Sequence, residues 1–358
     1  MKKTAYFLMA GGSGTRLWPM SRAWFPKQLH VLLGKESLLE RSLRRILKNS
    51  NPGNILIGTR EELYFSIKEQ WAKVSKSFCP FIILEPVSRN TAAAVALSIF
   101  ACRERFAGDV ILVVLPSDHL IEKQKFFAQA LKKGMEFAEQ GYIISFGIKP
   151  TYPETGYGYI NLGRRIEKDV FNATAFVEKP KLELAQKFVK SKKYLWNSGI
   201  FIFDTAVVAT YMKEFCPNIW KTAGQVWRQR KEKAGRVTFD KTSFERFPEL
   251  SFDYAVMEKA PRQLVIKAGF GWCDAGCWRM IQELFTKDKR GNVFSGDVFA
   301  LDTTGSFIRA EKRFIAAVGL KDLIIIDTPD ALLVCDKERS QEVKKIVARL
   351  DRQRLART

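Results

Sequence analysis

The sequence predicts an α/β protein with a mostly parallel, mixed sheet that carries helices on both faces, followed by a smaller β-rich region. Strand-sized apolar runs alternate with amphipathic helical stretches over the first two-thirds of the chain, a pattern typical of such sheets. The alternation ends near Asp288, and short β-prone runs follow it. A chain of 358 residues is long enough for one large and one smaller domain.

The predicted strands are the buried apolar runs at 6–9, 54–58, 81–84, 110–115 and 142–147. The segments 37–47, 91–102 and 125–139 carry apolar residues at helical spacing and are predicted as helices. This order indicates a Rossmann-like sheet. Ligands of such sheets bind at the carboxyl ends of the strands, so the loops that follow strands are the places to look for a site.

After residue 288 the β-prone runs are 298–301, 307–310, 315–318, 323–327 and 331–334, with no helix between them. They predict a small all-β appendage of coiled or solenoid-like form. The last helix has an apolar stripe of Val343, Ile346, Val347 and Leu350, which indicates docking on the rest of the protein rather than a nucleic-acid arm. We therefore expect domains at 1–288 and 289–358.

The composition favours a folded protein that handles anions. Lys and Arg number 59 against 38 Asp and Glu, giving a formal charge of +21, while 46% apolar residues argue against disorder. Such charge favours nucleic acid, an anionic membrane or phosphate-rich small molecules as partners. Of these, nucleic acid lacks any supporting zinc-finger, RNA-binding or basic-region motif.

The chain shows no export or membrane signal of the usual kind. No apolar run approaches the roughly 18 residues of a membrane span, and the short apolar stretch after Lys2 and Lys3 continues directly into glycines, as a first strand would. Six scattered cysteines without a CxxC pair, and two histidines, disfavour structural zinc and fit reduced thiols. We expect a cytoplasmic protein without a membrane partner.

The loop after the first strand is the most informative stretch. Gly11, Gly12 and Gly14 allow the backbone to approach a ligand and turn successive amides toward an anion. Arg16 adds a planar fork suited to phosphate oxygens, and Lys27, after a rigid proline, can reach the same phosphates. The spacing matches neither a Walker A loop nor a dinucleotide fingerprint.

This region resembles the signature of the sugar-1-phosphate nucleotidylyltransferases, in particular the mannose-1-phosphate guanylyltransferase family. The matching residues are Gly11-Gly12-Ser13-Gly14-Thr15-Arg16-Leu17-Trp18-Pro19, followed by Pro26-Lys27. The resemblance implies a nucleotide-binding α/β domain followed by a short left-handed β-helix, and a homodimer. It also implies that Gly11, Gly12, Gly14 and Thr15 bind the nucleotide, with Arg16 and Lys27 catalytic.

The segment 85–94 links a predicted strand to an alanine-rich helix, which Asn90 or Thr91 would cap. The resemblance adds base recognition. Guanine presents two adjacent donors on its Watson–Crick edge, and a carboxylate matches that pair. Glu85 is the candidate for this contact, with the backbone of Asn90 and Thr91 beside it.

Two aspartates follow predicted strands or glycine-rich turns, Asp118 and Asp274. The resemblance assigns both to catalysis and to binding Mg²⁺, which prefers one or two carboxylates together with substrate phosphates and water. Cys273 and Cys277 stand where the family usually has serine or another small residue.

Three further segments resemble the sugar side of the family's pocket. They supply Gly156 in a glycine-rich turn, Glu178 and Lys179 in a Phe-x-Glu-Lys-Pro sequence, and Asn197. The resemblance implies that Lys179 neutralises the sugar phosphate while Glu178 and Asn197 contact hydroxyls. In the matching segment 251–258, we expect Ser251 to cap a helix and Asp253 to lie near the pocket.

The reaction so implied is mannose 1-phosphate plus GTP giving GDP-mannose and pyrophosphate. The alternatives are the same chemistry on another sugar, such as a manno-heptose 1-phosphate, or with another base, and a catalytically silent regulator that binds nucleotide sugars. The sequence has both candidate metal ligands, Asp118 and Asp274, and the cationic residues Arg16, Lys27 and Lys179. Their presence argues against a catalytically silent protein. Because the chain ends at Thr358 without room for a cupin domain, we expect guanylyltransferase activity alone.

Overall fold

The apolar runs of the first two-thirds of the chain form an 11-stranded mixed sheet in the computed structural model, which describes residues 2–12, 14–76 and 80–352. Each predicted strand and helix of this region is present, and no end differs from its predicted position by more than three residues. The α/β fold class is therefore confirmed. No helix within these ranges combines the length and apolar character needed to cross a membrane.

The strands are β1 (Thr4–Met9), β2 (Ile55–Arg60), β3 (Phe81–Glu85), β4 (Ile111–Pro116), β5 (Leu120–Ile121), β6 (Ile143–Ile148), β7 (Tyr159–Glu167), β8 (Val170–Val177), β9 (Tyr194–Asp204), β10 (Lys231–Lys233), β11 (Arg236–Thr238), β12 (Gln263–Lys267), β13 (Trp272–Cys273), β14 (Val293–Ser295), β15 (Val298–Leu301), β16 (Phe307–Arg309), β17 (Ile315–Val318), β18 (Leu323–Asp327) and β19 (Leu332–Asp336).

The α-helices are α1 (Leu38–Leu47), α2 (Tyr64–Val74), α3 (Asn90–Arg105), α4 (Gln124–Ala138), α5 (Leu182–Ser191), α6 (Thr205–Phe215), α7 (Pro217–Arg228), α8 (Lys241–Phe244), α9 (Trp278–Gln282) and α10 (Val343–Arg352). Short 3₁₀ helices cover Thr15–Leu17, Lys27–Leu29, Pro52–Asn54, Glu61–Leu63 and Lys337–Glu342, and a π-helical turn covers Asp253–Met257.

The large sheet has the strand order β10-β11-β3-β2-β1-β4-β9-β6-β12-β8-β7. The run β11-β3-β2-β1-β4 is parallel, and β9 then pairs antiparallel with both β4 and β6. Parallel neighbours end at the same edge, so the residues that follow β1, β3 and β4 leave from one side of the sheet.

Burial explains why these segments fold as they do. Strand β1 is buried along almost its whole length, with Phe7 and Leu8 at 0% exposure, as expected for a central parallel strand. Helix α3 is apolar on nearly all sides and is buried accordingly. Its small alanines at 92, 93 and 96 are wholly buried among larger side chains of the core.

The C-terminal runs form stacked coils of strand. β14, β16 and β18 lie parallel in one sheet, while β15 and β17 lie parallel in a second. β19 returns antiparallel beside β18. Trp278 and Phe307 are wholly buried at the centre of this region. The expectation of a small β-helix-like domain is confirmed.

Helix α10 docks by an apolar stripe, but the stripe is narrower than predicted. Val343 and Val347 are buried and Leu350 packs against the same cluster, whereas Ile346 is 41% exposed. Including Ile346 in the buried face was wrong, because the packed positions advance by four and then three residues and leave Ile346 outside them.

The chain divides into two units. The first, which we call the sheet unit, comprises Met1–Gly11, Ser42–Ser117 and Ile121–Trp272. The second, the coil unit, comprises Gly12–Arg41, Asp118–Leu120 and Cys273–Thr358. Two segments remote from the C-terminus in sequence thus belong with the stacked coils. The segment 12–41 includes Gly12 and Gly14 of the loop that follows β1, which we call the glycine loop. The segment 118–120 begins with Asp118.

Candidate active site

The carboxyl end of β1 is fixed by hydrogen bonds within the sheet unit. The Ala10 amide donates to the Gly58 carbonyl at 2.7 Å, and the Ser117 amide donates to the Met9 carbonyl at 3.1 Å. The Thr59 hydroxyl donates to the Ala10 carbonyl at 3.0 Å. Strands on both sides of β1 therefore set the point at which the glycine loop leaves the sheet.

The glycines of the loop meet different requirements. A Cβ atom on Gly11 or Gly12 would meet no protein atom within 4 Å, so this stretch of backbone is open. Gly14 has φ +61°, and a Cβ there would overlap the Cβ of Lys27. Only glycine fits position 14. Ser13 lies outside the described residues.

Within the coil unit, a cavity of about 320 Å³ is lined by Gly14, Thr15, Arg16, Lys27, Asp118, His119, Asp274, Gly276 and Lys344. All four residues predicted to be catalytic lie there together. Gly14 and Thr15, which were predicted to bind the nucleotide, also line the cavity. Sequence reasoning did not identify the remaining three lining residues, His119, Gly276 and Lys344. For Lys344 no local signal was available, since it lies on the charged face of a C-terminal helix.

Lys27 ties the two acidic segments together. Its side chain is buried, and its ammonium lies 2.8 Å from Asp118 Oδ2 while also donating to the Asp274 carbonyl. His119 Nε2 lies 3.8 Å from Asp118 Oδ1. Burial alone would raise the pKa of Asp118, but the Lys27 and His119 charges hold that pKa below its usual range. Asp118 is therefore a carboxylate at neutral pH.

Asp274 is held by its own turn. The Gly276 amide donates to Asp274 Oδ1 at 3.0 Å, and a Cβ on Gly276 would lie 2.5 Å from Oδ2. The Ala275 amide donates to Cys273 Sγ at 3.2 Å. Burial and the neighbouring Asp274 raise the pKa of Cys273 to about 12, so this thiol remains protonated. Cys273 can thus act as a small neutral acceptor.

The donor set of the cavity suits a hard cation such as Mg²⁺. Two carboxylates line one polar cavity beside groups fit for phosphates, and Mg²⁺ sites of this kind are completed by substrate and water oxygens. Within the described ranges no three His, Cys, Asp or Glu side chains cluster as a metal site built from protein alone would require. Cys102, Cys216, Cys273 and Cys335 are free thiols, and Cys79 lies outside the described residues.

The candidate base-binding segment lies in the sheet unit. Glu85 is the last residue of β3 and is 7% exposed, and burial raises its pKa to about 8. Helix α3 begins at Asn90, which has φ +63°. Asn90 Oδ1 accepts from the adjacent Thr91 amide at 2.9 Å, and Thr91 Oγ1 accepts from the Phe252 amide at 2.8 Å.

The predicted helix cap is therefore wrong. The cap position is Arg89, and no side chain caps the helix. The hydroxyl of Thr91 binds the remote Phe252 amide instead of an amide one turn along its own helix. A tertiary contact has replaced the local one. It links the candidate base segment to the segment 251–258.

The candidate sugar-binding segments are joined by hydrogen bonds, also within the sheet unit. The Lys179 amide donates to the Tyr157 carbonyl at 3.2 Å, and the Asn197 amide donates to the Gly158 carbonyl at 2.8 Å. The Asn197 side chain donates to Asp253 Oδ1 at 3.0 Å. The structure thus brings all the sugar-side segments into one network.

Several polar groups proposed for sugar contacts already have protein partners. The Gly156 amide donates to Glu154 Oε1 at 2.8 Å, and Asn197 Oδ1 accepts from the Gly199 amide at 3.0 Å. The Lys179 ammonium pairs with the Glu178 carboxylate. The network is therefore organised before a sugar arrives.

Asp253 lies in this network. Burial and the nearby Glu178 carboxylate raise its pKa to about 7, and Lys179 and Asn197 oppose that rise only in part. Ser251 Oγ accepts from the Tyr254 amide at 3.3 Å, which confirms the predicted cap. Two acids close to one another thus share the sugar-side network, and burial and the second carboxylate favour the protonated form of Asp253.

This fold and this arrangement of a glycine loop, two acids and several cations define a class. Residues 6–291 match the family model described as nucleotidyl transferase, and residues 296–350 match the MannoseP isomerase/GMP-like beta-helix domain. The chain belongs to the nucleotidyl transferase family and is an enzyme.

Individual relatives are similar to this chain over most of its length. The chain is 39% identical over 348 residues to the mannose-1-phosphate guanylyltransferase of Salmonella muenchen, covering 97% of this chain and 73% of that protein. It also resembles a crystal structure described as mannose-1-phosphate geranyltransferase from Thermus thermophilus, with a TM-score of 0.84, 34% identity and coverage of 98% and 99%. A structure described as mannose-6-phosphate isomerase from Helicobacter pylori matches with a TM-score of 0.67 and 27% identity, over 76% of this chain and 99% of that one.

Proposed function

We propose that this protein transfers GMP from GTP to mannose 1-phosphate, giving GDP-mannose and pyrophosphate. The observation that carries the proposal is the cavity that brings Arg16, Lys27, Asp118 and Asp274 together. Cations and carboxylates in one polar cavity suit a reaction between two phosphate esters. The name of the Salmonella relative supports the choice of guanine and mannose.

In the proposed step, an oxygen of the sugar phosphate forms a bond to the α-phosphorus of GTP. The bond between that phosphorus and the bridging oxygen to the β-phosphate breaks, and its electron pair leaves with pyrophosphate. The attacking phosphate is already ionised at neutral pH, so no general base is needed. Catalysis then depends on alignment and on neutralising charge. Arg16 and Lys27 would stabilise the departing pyrophosphate.

Nucleotidyltransferases of this family generally use a divalent metal, and we assign that role to Mg²⁺ held by Asp118 and Asp274. Bound there, the ion would offset the negative charge of the reacting phosphates. Lys27 supports the assignment because it keeps Asp118 ionised and fixes its orientation. The ion pair also means that Lys27 acts on the metal ligand as well as on phosphate.

We assign the base to Glu85, with Asn90 and Thr91 beside it, and the sugar phosphate to Lys179. Glu178, Asn197 and Gly156 would contact or position the sugar. Gly11, Gly12, Gly14 and Thr15 would bind the nucleotide phosphates. The existing bonds of Gly156 and Asn197 favour positioning roles for these two residues.

Other parts of the proposal rest on the sequence patterns described above and on the family resemblance. They are a homodimer, a cytoplasmic location, and a division into a catalytic domain at 1–288 and a β-helix domain at 289–358. We also propose that nucleic acid and membranes are not partners.

The test is pyrophosphate release by purified protein with Mg²⁺, crossing GTP, ATP, UTP and dTTP against mannose, glucose and heptose 1-phosphates. Release confined to GTP with mannose 1-phosphate is the expected result. Turnover of GTP with another sugar would overturn the sugar assignment alone. Interconversion of mannose 6-phosphate and fructose 6-phosphate, without pyrophosphate release, would replace the proposal with an isomerase.

A further inference from the structure

The C-terminal helix α10 packs on the glycine loop inside the coil unit. Val343 and Val347 belong to the same buried cluster as Leu17 and Trp18, which end and follow the short helix Thr15–Leu17. The Trp278 indole donates to the Trp18 carbonyl at 2.9 Å and adds a polar tie. The position of α10 relative to the loop is therefore set by a shared apolar core.

Each of these two elements places a cation next to its buried anchor. Arg16 precedes Leu17, Lys344 follows Val343, and both Arg16 and Lys344 line the same cavity. Successive residues of a helix point about 100° apart. Lys344 therefore lies at the border of the buried stripe, where its side chain borders the cavity.

The partners of the cavity's cations differ. Lys27 is already bound to Asp118 and to the Asp274 carbonyl. The side chains of Arg16 and Lys344 have no hydrogen-bond or ion-pair partner among residues 2–12, 14–76 and 80–350. The adjacent Lys345 does have one, since it lies 2.8 Å from Glu342. The two neighbouring lysines have equal charge and thus differ in whether their ammonium groups have a protein partner.

The charges of the cavity favour a polyanion. Arg16, Lys27 and Lys344 contribute three positive charges, against two carboxylates from Asp118 and Asp274. A bound divalent ion would add to this positive excess. Lysine suits such a ligand because its ammonium is a compact donor that binds a phosphate as a point charge.

We infer that Lys344 is a phosphate-binding residue of the active site, contacting the β- and γ-phosphates of the nucleotide and the pyrophosphate formed from them. The inference rests on the proposed function for the identity of the ligand. It makes the C-terminal helix a contributor to catalysis rather than only a support for the fold.

The direct test is calorimetric binding of inorganic tripolyphosphate with MgCl₂ to the full-length protein and to three variants, Lys344→Met, Lys344→Arg and Lys345→Met. Loss of one charge-assisted contact predicts binding about 10-fold weaker in Lys344→Met. Lys344→Arg should restore most of the affinity, and Lys345→Met should match the wild type. Unchanged binding in Lys344→Met, or an equal loss in Lys345→Met, would overturn the inference.

Kinetics separate this inference from the proposed function. In the reverse direction, with GDP-mannose, Lys344→Met should raise the KM for pyrophosphate about 10-fold and leave the KM for GDP-mannose within about twofold. A wild-type protein without either reaction would refute the proposed function, while the tripolyphosphate experiment would still decide the role of Lys344. Equal melting temperatures of the four proteins would show that folding is not the cause.

Discussion

The acids of the candidate site are in opposite electrostatic states in the coil unit and in the sheet unit. Asp118, in the coil unit, is paired with Lys27 and has a lowered pKa, so it is a carboxylate. Glu85 and Asp253, in the sheet unit, are buried and have pKa values raised to about 8 and about 7. Similar residues are thus prepared for different ligands.

The comparison indicates a division of labour. A cavity rich in charge, with Arg16 and Lys344 available, suits phosphates and a metal ion. A network of hydrogen bonds that the protein itself forms around Asn197 suits the neutral hydroxyls of a sugar. The strongest functional effects should therefore come from charges in the coil unit, and the finer effects from groups in the sheet unit.

The largest effect is expected for Asp118→Asn. This variant removes a proposed metal ligand and the anion that Lys27 binds, so kcat should fall by about 100-fold or more. Steady-state pyrophosphate release measures this, with Asp330→Asn as the control, because Asp330 pairs with Arg22 in the same unit but does not line the cavity. Normal turnover by folded Asp118→Asn would remove Asp118 from the metal site.

The next largest effect separates two glycines of the loop. Gly14→Ala forces alanine to φ +61° and against Lys27, so the protein should lose about 1–3 kcal/mol of unfolding free energy as well as activity. Gly12→Ala meets no protein atom and should keep its stability while binding GTP more weakly. Urea denaturation and GTP titration measure the two properties. Equal stability losses would show that the open backbone at Gly12 has a structural role.

The sequence predicted the parts of the coil unit's site that are local, and missed those that depend on folding. The glycine loop with Arg16 and Lys27 is one short segment whose chemistry can be recognised directly. Lys344 lies on a helix with a second lysine and two arginines, and only the packing of that helix on Thr15–Leu17 distinguishes it. No spacing rule reports such a contact.

In the sheet unit, too, the local features were predictable and the polar contacts between remote segments were not. Its central strands were predictable because a buried parallel strand is a continuous apolar run. The cap of α3 was not predictable, because the Thr91 hydroxyl accepts a hydrogen bond from the Phe252 amide, which is remote in sequence. Likewise, Glu154 rather than a ligand binds the Gly156 amide in the free protein. Where a polar group has several possible partners, the tertiary structure determines which of them it binds.

A pH dependence should distinguish Glu85 from Asp118. The proposed contact between Glu85 and guanine needs the carboxylate form of Glu85, whose pKa is about 8 in the free protein, so GTP binding should expel its proton. The KM for GTP should fall as the pH rises from 6.5 to 8.5, by up to about 10-fold per unit below the pKa. Glu85→Gln should abolish this slope and reduce the preference for GTP over ATP. A slope that persists in Glu85→Gln would assign it to another group.

Glu85 should also affect stability, with a definite sign. Its folded pKa lies above the unfolded one, so the folded protein holds the extra proton between about pH 4.5 and pH 8. The stability that Glu85 contributes is complete below this window and is lost as the pH rises through it. Glu85→Gln should therefore raise the melting temperature of the free protein more at pH 8 than at pH 5.

The smallest effect is expected on the sugar side, at Asp253. Asp253→Asn keeps an oxygen that can accept from the Asn197 side chain, and it removes the repulsion between Asp253 and Glu178. Asp253→Ala leaves the Asn197 amide without that acceptor. We expect the KM for mannose 1-phosphate to change by less than about threefold in the first variant and to rise by about 5–10-fold in the second, with kcat nearly constant in both. A fall in kcat for Asp253→Asn would mean that the acid itself takes part in the reaction, and the contrast between charged phosphate binding and neutral sugar positioning would fail at this residue.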